Sequence, residues 1–133
     1  MHDLPSQSSV AVTIPASAAY LRHVRVLTAT VADDLGFDIE SIEALRVAVD
    51  ELCALAMSDV DNGSGTLTLL IEAAADALML SGRCGPTTAD PEVDPIAEQL
   101  LRAGATSYEL RREGDVCVLG LRSDRRTADT DAN

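Results

Sequence analysis

The sequence predicts an α+β fold in two layers, an α/β sandwich with a mostly antiparallel sheet and its helices on one face. Three observations predict it. Short β-branched or apolar runs stand before and after two long stretches of three-to-four apolar spacing. The later runs come as neighbouring pairs joined by turn residues, the pattern of hairpins. The whole fits within 133 residues, enough for one domain with a core and too few for two. Apolar residues make up 47% of the chain, yet it holds one Phe, two Tyr and no Trp. The core must therefore be built from Leu, Val, Ile and Ala.

Residues 1–8 are polar and are expected to be a flexible N-terminus. "VAVTIP", from Val10, alternates and stops at Pro15, as a first strand does. "ASAAYLRHVRVLTATVADDLG" follows as a first helix, with Tyr20, Val24, Leu27 and Val31 on one stripe and Gly36 at its end. "FDIESIEALRV" opens a second helix, capped by Asp38 or Ser41. Its apolar face is Ile42, Leu45, Val49, Leu52 and Ala56. The turn cluster "DVDNGSG" ends it.

"TLTLLIE" and "ALMLSG", joined by "AAADA", read as a hairpin, and "RCGPTTADPEVD" as a loop. "PIAEQLLRAG" is a short helix with Pro95 in its first turn and Gly104 closing it. "TSYELRRE" and "VCVLGLRS" form a closing hairpin around Gly114 and Asp115. The domain is thus expected over residues 9–122, with 123–133 a disordered polar tail.

The net charge of -12 repels phosphate backbones and anionic membranes, so direct nucleic-acid or membrane binding is not expected. No apolar run is long enough to span a bilayer, and "MHDLPSQSS" lacks the pattern of a secretory signal. Cys53, Cys84 and Cys117 are scattered, without CxxC spacing, which reads as reduced thiols in a cytoplasmic protein. Cys84 falls on the expected loop, where a free thiol would be open to oxidation. His2 and His23 add no ligand cluster, so no metal is expected.

Chemistry concentrates in "RVAVDELCALAM", Arg46 to Met57, where Asp50 and Glu51 interrupt an apolar helical run. This stretch, with "IPASAAYLRHVRVLTATVADDLGF" before it and "TLTLLIEAAADALMLSGRCGP" after, resembles the anti-sigma factors of the histidine-kinase-like (GHKL) ATPase superfamily. The resemblance is to the actinobacterial, RsbW-like branch that regulates stress and sporulation sigma factors, and it spans about residues 9–122. It implies a histidine-kinase-like ATPase fold with a shortened ATP lid.

In that family the second helix carries Glu-x-x-x-Asn and then His, for catalysis and magnesium. Here Glu51 keeps the first position, while Leu55 and Asp59 replace Asn and His. Leucine has no atom that can bind a hard cation. The family's adenine-binding Asp falls on Arg83 or Cys84, before Gly85, and neither accepts a hydrogen bond as a carboxylate does. The lid segment "PTTADPEVDP" has no glycine and carries Asp90, Glu92 and Asp94, which would repel triphosphate. The last Gly-Thr motif is reduced to Gly114-Asp115. Four elements of one nucleotide site are therefore lost, so no ATP or other cofactor is expected and Glu51 is a vestigial base.

What the resemblance leaves is protein binding. The family's characteristic first-helix Arg, which contacts sigma factor and anti-anti-sigma protein, matches Arg25, with Arg22 one turn away. The expected function is sequestration of an alternative sigma factor and release by an anti-anti-sigma antagonist, in a homodimer formed through the sheet edge and first helix. Two alternatives stay open: an active serine/threonine kinase that phosphorylates the antagonist, with Asp50 or Asp59 as a substitute metal ligand, and a regulatory scaffold that binds no sigma factor.

Overall fold

Alternation decides which side of each strand turns inward, and here it places all five strands in one register. The computed structural model describes residues 7–60 and 64–126. In chain order these form β1 (Gln7–Pro15), a 3-10 turn (Ala18–Tyr20), α1 (Leu21–Asp34), α2 (Ile39–Met57), β2 (Thr66–Ala74), β3 (Ala77–Gly85), α3 (Pro95–Gly104), β4 (Ser107–Glu113) and β5 (Val116–Asp124). The sheet order is β1-β2-β3-β5-β4, antiparallel at every pairing. This is the two-layer α/β sandwich the sequence predicts.

Ile14, Leu67, Leu69, Ile71, Leu80, Cys84, Cys117, Leu119 and Leu121 are buried on the helix side of the sheet. Against them α2 sets Leu45, Val49, Leu52, Cys53 and Ala56, all buried on its own inner stripe. Burying one Leu or Val side chain contributes roughly 1.5–3 kcal/mol, so this aliphatic layer carries the fold without aromatic mass. α2 lies between α1 and α3 and touches β3 and β5, which makes it the central helix.

The caps follow local chemistry. Asp38 accepts from the Ser41 N–H at 2.7 Å to start α2, and Asp94 accepts from Ala97 N–H at 2.8 Å to start α3. Gly36 ends α1 at φ 89°, a conformation that costs a glycine little.

Four boundaries differ from expectation. α1 begins at Leu21 and not at Ala16, because Ala16 N–H donates to Gly65 O at 2.9 Å and holds an extended Ser17 beside the sheet. β1 already starts at Gln7, paired with Ala74. β3 runs on through Arg83, Cys84 and Gly85, paired with β2 and in part with β5, so these residues are strand and not loop. β5 continues to Asp124, with Ser123 buried and its hydroxyl donating to Gly104 O at 2.9 Å, so the domain does not stop at 122. Arg125 N–H also donates to Asp76 O at 2.7 Å. The expected flexible terminus at 1–6 and the tail at 127–133 lie outside the described residues. Among the described residues no helix is long and apolar enough to cross a membrane.

Candidate functional site

At 100° per residue, neighbours on a helix face different sides, and Asp50 and Glu51 part company for this reason. Asp50 turns toward α1, where Arg25 Nε donates to its Oδ1 at 2.9 Å and an Nη donates to Oδ2 at 3.3 Å. The result is a two-pronged guanidinium–carboxylate pair across the α1–α2 seam, with side chains 39% and 38% exposed. Arg22, one turn earlier, is exposed and makes no ion pair among the described residues. Around them α1 and the 3-10 turn before it present apolar surface to solvent. Val26 is 65% exposed and Tyr20 42%, the latter's ring 6.3 Å from that of His23. Val47, also exposed, stands one turn before Asp50 on α2.

Glu51 is half-buried, and it has no hydrogen bond or ion pair among the described residues. Leu55, about 6 Å further along the axis, packs its side chain against the core, as Val93 of the segment before α3 also does. Asp59 is exposed, beyond the end of α2 at Met57. On the same helix, α3 approaches without any gap. A Cβ built on Gly104 would lie 2.1 Å from Ala44 O and 2.9 Å from the Ala48 Cβ. Only glycine permits that contact.

The end of β3 closes the region from below. Strand alternation sends Arg83 to the uncovered face of the sheet and Cys84 inward, where it is fully buried opposite Cys117. Only Cys84, of the two positions matched to the family's Asp, faces the helices. Its burial corrects the expectation of an oxidisable loop thiol. Desolvation pushes Cys84 up to about 11, and it pushes Cys53 up to about 12 with a lesser contribution from the Asp50 charge. Burial also raises Cys117. After Gly85 and a cis bond to Pro86, Thr87 is buried and its N–H donates to Asp115 O at 2.8 Å, so the segment folds onto the β4–β5 turn.

These residues do not fit magnesium triphosphate. Leu55 supplies no oxygen and Cys84 is a neutral buried thiol, while Asp90 pairs with Arg112 at 2.9 Å and Asp94 caps α3. Among the described residues no group of three or more His, Cys, Asp or Glu could hold a metal ion. The structure therefore brings together Arg25 and, on α1, Arg22. It leaves Glu51, Leu55 and Asp59 along α2, separates Arg83 from Cys84 by the thickness of the sheet, and keeps Gly85 in the β3 ladder. The residue that sequence reasoning missed is Asp50 as the partner of Arg25. Its one signal was an acid on a helix face that could turn toward α1.

No family model matches the chain, and no curated protein matches it. Among solved structures the chain is similar to the RsbU and RsbW domains of a Mycobacterium tuberculosis protein, at a TM-score of 0.68 and 16% identity. The match covers 91% of this chain but 34% of that one, so the chain spans about a third of its length. At that identity the likeness is one of fold: a two-layer α/β sandwich of the RsbW type.

Proposed function

We propose that the chain is a non-catalytic, anti-sigma type regulator that sequesters an alternative sigma factor inside the cell and releases it to an anti-anti-sigma antagonist. The observation that carries this reading is the α1 surface. A guanidinium fork lies at its seam with α2, beside Arg22, exposed and without an ion pair among the described residues, and a Val26 that is 65% exposed. A planar Arg with a neighbouring apolar patch suits capture of a partner's carboxylate and helix. The fold likeness to an RsbW-containing structure supports the class, and the -12 charge would steer a basic partner toward it. Two copies would act as a homodimer. Capture is steric, by covering surface the sigma factor needs elsewhere, and requires no nucleotide.

One observation favours a second reading, a serine/threonine kinase acting on the antagonist. Glu51 survives, half-buried and unpaired among the described residues, where a catalytic base would stand. Two titrations separate the readings. Calorimetry with ATP and magnesium should give no heat for the wild type, and micromolar binding would return the kinase to first place. Binding of the host's sigma factors, read by fluorescence anisotropy, should show one tight partner that weakens at least about tenfold in Arg25→Glu. Binding to none of them would leave only the scaffold.

A further inference from the structure

The three cysteines, scattered along the sequence, meet in the core. Cys84 of β3 and Cys117 of β5 are register partners, the last pair of their ladder. Alternation turns both side chains to the helix side, where they are 0% and 2% exposed. Cys53 of α2, also 0% exposed, approaches them from the helix layer. Cys84 acts electrostatically on Cys53, and Cys117 on Cys84, as members of one cluster do. All three are free thiols.

The register decides which pair can join. Directly opposed residues of antiparallel strands have Cα atoms about 4.5 or 5.5 Å apart, and a disulfide spans about 4.4–6.8 Å. Their Cβ atoms stand about 4.5–5.5 Å apart, against about 3.8 Å in a relaxed disulfide. The two strands need draw together only slightly, so the bond is within reach and somewhat strained. Cys53 has no such register. A bond from it would pull α2 into a core that is already close-packed.

We propose that Cys84 and Cys117 join in a cross-strand disulfide when the chain folds in the presence of a small-molecule disulfide, the class of oxidised glutathione. In the closed fold neither thiol is accessible, so the reaction begins in the opened chain. One cysteine thiolate attacks the oxidant, forms a mixed disulfide and expels one glutathione thiolate. Closure of the β3–β5 ladder then sets the other cysteine opposite. Its thiolate attacks the protein sulfur of the mixed disulfide, the S–S bond forms, and the second glutathione leaves. Two cysteine thiols give up two electrons and two protons, and the oxidant becomes two thiols. The finished bond is too small to disturb the helix layer, whereas the bulky mixed disulfide cannot be buried, and this drives the exchange forward. The bond ties together the ends of a segment that holds α3 and β4. Its strain leaves it easier to reduce than a relaxed structural disulfide, so the lock is reversible. This goes beyond the proposed function and is independent of which partner α1 captures.

The test is oxidative refolding of the full chain. Reduced protein is unfolded in guanidinium, diluted into a mixture of reduced and oxidised glutathione, quenched with N-ethylmaleimide and digested with trypsin without reduction. Cleavage after arginine places Cys53, Cys84 and Cys117 on separate peptides, 47–83, 84–102 and 113–122, so mass spectrometry reads each link directly. Cys84 is about equally far along the chain from Cys53 and from Cys117, so in guanidinium its two links should form in comparable amounts. On folding, the Cys84–Cys117 link should exceed every other at least about tenfold, because only the ladder aligns that pair. The linked chain should melt about 5–10 °C above the reduced one. Cys53→Ala should keep the link and Cys84→Ala should lose it, with circular dichroism confirming that both fold. The proposal is overturned by the guanidinium mixture persisting on folding, by a dominant link to Cys53, by no link at all, or by a linked chain that melts lower than the reduced one.

Discussion

Gly104→Ala should be among the most damaging single-methyl additions in this chain. The added carbon would sit 2.1 Å from Ala44 O and 2.5 Å from its carbonyl carbon, with the Ala48 methyl at 2.9 Å. The two closest atoms are backbone in the middle of a capped helix, so they cannot swing aside as a side-chain tip can. α3 must therefore move off α2. Overpacking of a core costs about 1–3 kcal/mol, and a backbone obstacle puts this case at about 3. For a chain of this size that lowers the melting temperature by about 10 °C. Gly114→Ala is the control. It sits at φ 66° with nothing within 4 Å of the added carbon, so its cost is conformational, about 1 kcal/mol. Thermal melts of both variants, followed by circular dichroism, decide the matter. If Gly104→Ala melts no lower than Gly114→Ala, α2 and α3 are not in the backbone contact described, and the cleft between them is open.

Three further outcomes are expected. In a double-mutant cycle by urea unfolding, Arg25→Ala and Asp50→Ala should couple by about 0.5–1 kcal/mol, a value discounted for the half-exposure of both groups; zero coupling would mean the pair does not persist in solution. Iodoacetamide at pH 8 should leave Cys53, Cys84 and Cys117 unmodified in the folded chain and alkylate all of them in guanidinium, because each is buried and protonated; rapid labelling of Cys84 in the native protein would contradict its burial. Stability should decline in alkali. The folded chain holds thiol protons that the unfolded one releases, so the contribution is complete below the ordinary thiol value of 9.0 and is lost as pH rises toward about 11 for Cys84 and about 12 for Cys53. Urea midpoints that do not fall between pH 8 and pH 10 would refute it.

The order of elements was legible because each depends on local chemistry: the Asp38 and Asp94 caps, Pro95 at the start of α3, and alternation along β2. What escaped depends on residues far apart in the chain. The start of α1 is set by Gly65, which holds Ala16 from 49 positions away. Cys84 looked like loop because Gly85 and Pro86 follow it, yet its pairing with Leu67 and Cys117 keeps it in the ladder. Arg25 and Asp50 are 25 residues apart, and nothing local joins them. The same limit applies to the candidate site. Leu55 could be recognised from sequence as unfit for a metal, but the contact of Gly104 with Ala44, which closes α3 onto α2, could not.

The pairing of Arg25 with Asp50 has a consequence for how a complex would respond to its surroundings. A partner carboxylate that takes Arg25 must first evict Asp50, and the same number of ion pairs exists before and after the exchange. The equilibrium would then depend on apolar contact around Val26 and Tyr20 more than on charge. The long-range field of a -12 chain is different, because it acts on the approach and is screened over about 8 Å at physiological ionic strength. Salt would therefore set how quickly a partner is caught and leave how long it is held nearly untouched.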